Sequence, residues 1–530
     1  LTAKVIALNI KPGIQRDGTQ FDAPTYIDGK WVRFQRGRPR KVAGYRGIFL
    51  NGSGVSRGMI QSSLTGLNYV YSGYSDGVEW WQVDDDDGVG SGPEAITLSD
   101  FTADPNNLWQ WDIAYDSGGS GALSVIGHPG QNLTHIDSTV DTPVLIGDFP
   151  GGAMAAVADT AGAHASGANI EVSGGCVMLY PYLFVYGNNG LIKNSSAGNF
   201  SAWNNQDYPD ANENNVSATK VVKGLPLRGG TTSPAGLFWS LDSLIRVTYA
   251  PQQVGASTLY WRYDLISSQS SIMSSQSVIE YDGIYYWIGV DRFLMYNGVV
   301  QEVDNQMNFN WFFDNMNYAQ RQKVWATKVP RWGEIWWFYP RGTATECTDA
   351  IIYNVREKTW YDAGEALGAR RSAGTFSEVF RKPIWAGWEP NVESSYTIWQ
   401  HESGTDQIYL TNVDAVQSYF ETNSLGWVSG GPGVRQLENT NRWIRMERVE
   451  PDFVQSGDMN LYITGKSYAQ DVADTTSIYT FAPDTPKIDM REQRREMRIR
   501  FESNTLNGNY ETGQVLLSAD IGDERGTANP

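Results

Sequence analysis

Two cysteines and four histidines in 530 residues leave little material for a disulfide framework or a metal centre. Cys176 and Cys347 fall in different repeat units without ligand spacing, so both read as free thiols. His128, His135, His164 and His401 have no spaced partners of the kind a metal site or a catalytic triad needs. Walker, Rossmann and H-E-x-x-H patterns are absent. No apolar run reaches the roughly 18 residues of a membrane span. The nearest candidate, Gly151 to Ile170, is rich in Ala and Gly and broken by Asp159 and His164. The opening LTAKVIALNI lacks the charged start and long apolar core of a signal peptide, so nothing in it points to export. Only 19% of residues are charged, and the balance of −18 argues against tight wrapping of nucleic acid, which needs clustered Lys and Arg. An acidic surface is still compatible with a path along which DNA slides without sticking.

What the chain has is aromatic residues, 13% of the total, and 55 glycines, a composition that fits many short strands broken by turns. The clearest stretch runs from Ser277 to Val303 and reads as four strands. Asp282-Gly283 and Asn297-Gly298 are tight-turn signals, because such turns need the positive φ that Gly and Asn tolerate, and Asp291-Arg292 is a weaker third turn. Ile284, Tyr286 and Ile288 alternate with Tyr285, Trp287 and Gly289, so both faces of that strand are expected to be covered. Similar units start at Gly58, Leu108, Gly175, Ala235, Ser277, Lys323 and Ala373, with a mean period of about 52 residues, close to that of propeller blades. The Ala235 unit is the shortest, which leaves six and seven blades both open.

The expectation is therefore an all-β chain: an extended N-terminal segment over residues 1–57, a β-propeller of six or seven blades over 58–404 with an insertion near 138–174, and a β-sandwich-like domain over 405–530. In the last part, Met459, Leu461 and Ile463, and likewise Met497, Ile499 and Phe501, alternate with polar residues and read as inner faces. Asp84 to Asp87 lack the terminal Glu of a calcium loop and read as a solvated turn.

Two basic clusters stand out. Lys30, Arg33, Arg36, Arg38, Arg40 and Lys41 lie on a predicted strand and turn, and Arg491, Arg494, Arg495, Arg498 and Arg500 lie on mixed Glu/Arg strands. Each reads either as a charge-guarded exposed strand or as a contact surface for an acidic partner. Replacing Arg494, Arg495 and Arg498 with Glu is expected to weaken assembly and leave the subunit folded.

No catalytic residue, cofactor or metal is expected. Two G-x-S-x-G matches, at Gly54–Gly58 and Gly73–Gly77, are followed by strand-like rather than helical sequence, unlike a nucleophile elbow. A carbohydrate-binding or glycan-cleaving propeller is the alternative, but the S-x-D-x-G-x-x-W boxes of sialidase-type propellers do not recur: Ser75-Asp76-Gly77 breaks the spacing, and Ser518 to Gly522 keeps it only once.

Three stretches in order, YIDGKWVRFQRGRPRKVAGYR from Tyr26, SVIEYDGIYYWIGVDRFLMYNG from Ser277, and MREQRREMRIRFES followed by GNYETGQVLLSADIGDERG from Met490, resemble the tail nozzle proteins of short-tailed bacteriophages. These are also called tail hub, packaged-DNA stabilisation or tail accessory proteins. The resemblance spans about Gly13 to Arg525. It implies a propeller subunit that assembles as a ring, usually sixfold, below the portal and its adaptor ring. It implies further a channel that retains the genome and lets it pass without specific binding, next to fibres or spikes and a needle or plug. The implied location is the virion tail, assembled in the host cytoplasm, with no stable membrane insertion.

Overall fold

The computed structural model describes residues 4–19, 23–64, 67–83, 92–96, 104, 108–115, 123–130, 135–139, 172–200, 202–203, 207–228, 234–255, 257–376, 380–425, 442–466, 471–472 and 476–524. The Asp84–Asp87 run, the Ala/Gly-rich stretch with His164, and most of the 138–174 insertion lie outside them.

The chain is nearly all β, built from many small antiparallel sheets. The Ser277–Val303 stretch forms a four-stranded meander: Ile279–Tyr281, Ile284–Ile288, Phe293–Tyr296 and Val300–Glu302. Asp282 and Gly283 both have positive φ, 52° and 80°, in a two-residue turn. The Asn297-Gly298 turn is one residue longer than expected, because Tyr296 pairs with Val300 and only Gly298 takes the left-handed conformation. Strand Ile284–Ile288 is covered on both sides. Tyr285 and Trp287 pack with Trp239 and Leu244 of the preceding sheet, while Tyr286 and Ile288 pack with Trp337 and Ile351 of the following one.

That pattern repeats. Seven sheets follow one another, beginning with strands Gly58–Leu64, Gln110–Tyr115, Gly175–Leu179, Val221–Pro226, Ile279–Tyr281, Trp325–Val329 and Arg371–Thr375. Among the described residues these sheets number seven. The fourth sheet begins at Val221, not at Ala235, whose strand is its second. Each sheet shares an apolar cluster with the next: Tyr71 with Trp109, Ile126 with Val185, Phe184 with Phe238. The seventh packs against the first, where Ile384 and Ile398 meet Val70 and Trp81. Its fourth strand comes from the other end of the chain: Tyr45–Gly52 pairs antiparallel with Tyr396–His401. The neighbour order is compatible with the expected propeller. Burying each large aromatic in these clusters contributes roughly 1.5–3 kcal/mol.

Beyond residue 418 the strands pair with the N-terminal ones. A five-stranded sheet runs Asp28–Lys30, Ser418–Glu421, Glu496–Ser503, Met459–Lys466, Ser477–Phe481. Phe501 and Ile499 sit opposite Leu461 and Ile463 on its inner face, all fully buried. Met446, Val449 and Leu517, from the sheet that contains Lys4–Ala7, share that core. The third sheet joins Val32–Gln35 and Arg38–Lys41 to Asn509–Thr512 and Phe453–Ser456.

Candidate functional site

The first basic cluster folds as a hairpin. Arg36 and Gly37 form its turn with φ 52° and 71°, and their backbone N–H groups donate to Glu357. Arg36 is exposed, but Arg33 and Lys41 are not on a surface at all. Lys41 donates to the Gly508 carbonyl at 2.6 Å, and burial pulls its ammonium down to about 8. Arg40 pairs with Glu511 at 2.8 Å, Lys30 donates to Gln417, and Arg38 is half-buried.

Arg33 is the largest departure from the contact-surface reading. Only 1% exposed, it donates to both Glu402 oxygens at 2.9 and 2.6 Å and to Glu334 at 3.1 Å. Glu334 also accepts from Tyr361 and Trp336, and Glu402 from Trp332. The Trp332 ring lies under three guanidinium groups, Arg33, Arg40 and Arg331, at 4.7 to 4.9 Å. Burial raises the Glu334 carboxyl against the pull of Arg33, while Glu402, also buried, is held below its ordinary range by Arg33. Two carboxylates sharing one guanidinium in a dry site cannot both be fully compensated. The cluster ties the N-terminal hairpin to the sixth sheet and to the residue that follows the seventh.

The second cluster is split in the same way. Arg491 is exposed, Arg495 is half-buried, and Arg494 pairs with Glu492 at 3.0 Å. Arg498 and Arg500 both pair with Glu421 at 2.8 Å, and Arg500 reaches Asp28 and lies over Tyr419. Arg16, which sequence reasoning missed, grips Asp362 through two bonds of 2.8 and 2.9 Å and also pairs with Asp28. Arg16, Arg498 and Arg500, with Asp17, Asp28 and Trp311, line an open cleft of about 530 Å³ between the five-stranded sheet and the sixth-sheet side. Its charges are already matched within the chain. It is built to hold the two halves together. No local pattern marks Arg16, Glu334, Glu402 or Glu421, because their charged partners lie up to 369 residues away.

A further set of contacts crosses the ring of sheets. Gln276, just before the fifth sheet, donates through Nε2 to the carbonyls of Arg57 and Trp109, which precede the first and second sheets. Arg57 in turn grips Glu346 at 2.8 and 2.6 Å, and Lys323 adds a bond of 2.7 Å. Although burial opposes it, these cations hold the Glu346 carboxyl below its ordinary range. Segments before the first, second, fifth and sixth sheets are thus bonded to one another at one end of the ring.

Cys176 and Cys347 are free and buried. Among the described residues, no group of three or more His, Cys, Asp or Glu could hold a metal, and no helix is long and apolar enough to cross a membrane. No family model matches the chain, and no curated protein matches it.

Proposed function

We propose that the protein is a non-enzymatic structural subunit of a phage tail nozzle, assembling as a ring, in six copies, below a portal and its adaptor. One observation carries the reading. The first and last of the three resembling stretches, more than 440 residues apart, fold into one unit: Asp28–Lys30 pairs with Ser418–Glu421, which pairs with Glu496–Ser503, and Arg40 sits opposite Glu511. That the two terminal stretches of an ordered resemblance meet in space is what a shared fold produces, and chance similarity has no reason to respect that meeting.

Bonds from Gln276 and Arg57 link segments of non-adjacent sheets within a single subunit. A genome channel in this reading runs between subunits, around a ring of copies, and its wall is acidic or neutral so that DNA passes without binding. Fibres or spikes and a needle or plug attach to the same ring in the virion.

The test is mass in solution by light scattering together with imaging of particles. A sixfold ring, or a monomer that forms one only on the tail, supports the reading. A persistent monomer absent from virions refutes it.

A further inference from the structure

Among the described residues, two arginines are fully buried in contact with aromatic rings, and they are treated very differently. Arg33 has two carboxylates at hydrogen-bond distance. Arg371, 3% exposed, has none among the described residues: its Nε donates to His401, its Nη1 to the carbonyls of Leu367 and Arg370, and its Nη2 has no hydrogen-bond partner. Glu389, whose charge acts on Arg371, pairs directly with Arg370 at 2.5 Å instead. Leaving a buried cation without an anion is costly, and burial correspondingly pulls the Arg371 guanidinium down to about 10.

Arg371 lines an open pocket of about 280 Å³ on the seventh sheet. One wall is aromatic: Tyr45 and Trp399 meet edge to face at 5.3 Å, Tyr409 lies 6.2 Å beyond Trp399, and the Arg371 guanidinium sits over both Tyr45 and Trp399. The rest of the lining includes Gln407, Thr397, Asn412 and the carboxylates of Glu389 and Asp414. Rings offering a flat apolar face, polar side chains for hydroxyls and a cation for an acid group describe one kind of ligand. The two carboxylates in the rim disfavour a multiply charged anion such as a phosphate.

We propose that this pocket binds a single acidic sugar unit of a glycan, its carboxylate directed to Arg371 and Arg370 and its ring face laid on the half-buried Tyr409. The missing anion of Arg371 is supplied by the ligand, and Glu389 and Asp414 accept from its hydroxyls. The inference rests on the pocket alone and holds whether or not the chain forms a ring.

Ligand-observed NMR titration of the full chain with methyl β-glucuronide and methyl β-glucoside tests it. The expected result is glucuronide binding in the millimolar range with the neutral glucoside at least about tenfold weaker, and loss of that preference in Arg371→Gln. Equal binding of the two sugars, no glucuronide binding up to about ten millimolar, or a preference that survives Arg371→Gln overturns the proposal. Should Arg371→Gln fail to fold, the rim variants Arg370→Gln and Tyr409→Ala decide: reduced glucuronide binding supports the site, and unchanged binding in both overturns it.

Discussion

Replacing Arg33 by Met is expected to be among the most damaging single changes in the chain, for reasons that can be followed atom by atom. Arg33 is 1% exposed, and Met keeps most of its length, so the loss is electrostatic rather than a cavity. Without it, Glu334 keeps only the Tyr361 hydroxyl and the Trp336 N–H, and Glu402 keeps the Trp332 N–H. Glu334 is already pushed upward by burial, so it takes a proton readily; Glu402 then remains as a buried charge without its hydrogen-bonded cation. Breaking a buried pair in this way costs about 3–5 kcal/mol. The pH dependence follows from sign. In the variant both carboxyls lose the cation that lowered them and shift upward, so the folded state binds more protons relative to the unfolded one than it does in the native chain. Stability relative to the native chain is then lost as pH rises, and the deficit shrinks as pH falls toward 4.5. Urea unfolding at pH 7.5 and pH 5 measures both effects, with Arg36→Met at the exposed turn as a control expected within about 0.5 kcal/mol of the native chain. A loss below about 1 kcal/mol at pH 7.5, or a deficit unchanged at pH 5, refutes the reasoning.

Phe49 stacks on Trp81 at 5.4 Å where the N-terminal strand joins the seventh sheet to the first, so Phe49→Ala should cost about 3–5 kcal/mol in the same assay; a change under 1 would mean that this seam does not hold the ring of sheets together. Asp349 is held well above the ordinary 3.8, first by burial and then by the charge of Asp362, so its contribution to stability declines as pH rises above that value. Asp349→Asn keeps an oxygen for the Ala350 and Glu365 N–H groups, and its melting temperature relative to the native chain should climb between pH 6 and pH 8.5; a flat or falling difference contradicts the assignment. Charge reversal at Arg494, Arg495 and Arg498 now has a different expected outcome from that read off the sequence. Arg494 pairs with Glu492 and Arg498 with Glu421, so new glutamates there face existing ones and lower the melting temperature of the subunit itself. Arg36→Glu with Arg491→Glu, both exposed, is the cleaner probe of a subunit interface: an unchanged melting temperature with reduced assembly is expected, and unchanged assembly at moderate salt removes these residues from the interface.

The parts of this fold that were legible in the sequence are those whose signal is local. The meander from Ser277, the inner faces Leu461/Ile463 and Ile499/Phe501, and the all-β composition depend on neighbours two residues apart or on a turn that Gly must make. The fourth sheet was misplaced by one strand because Val221–Pro226 contains Lys223, Gly224 and Pro226 and so resembles a linker; its burial comes from Phe238 and Val177 on either side, which the strand's own pattern does not record. Seven sheets and the supply of Tyr45–Gly52 to the last of them depend on a pairing across about 350 residues, and no window of sequence contains both strands.

Charge was the least legible property, and the physical reason is general. Alternation of Trp31, Arg33 and Gln35 with Val32 and Phe34 marks a strand with one polar face only if that face meets water. Here Trp31 takes φ 51° and packs against Tyr45 and Trp336, and the whole run from Trp31 to Phe34 is buried. An arginine can sit in such a place because its five donors can be satisfied by carboxylates and its flat face by a tryptophan, as Arg33 is by Glu334, Glu402 and Trp332. Whether a given Arg is a surface contact, a clamp or a waiting site is therefore decided by partners that sequence position does not reveal. Arg33 is the clamp within this chain; Arg36 and Arg371 are proposed for the other two roles. Arg371, unlike the equally buried Arg33, pairs with no carboxylate among the described residues, which is why the search for a ligand belongs at the seventh sheet.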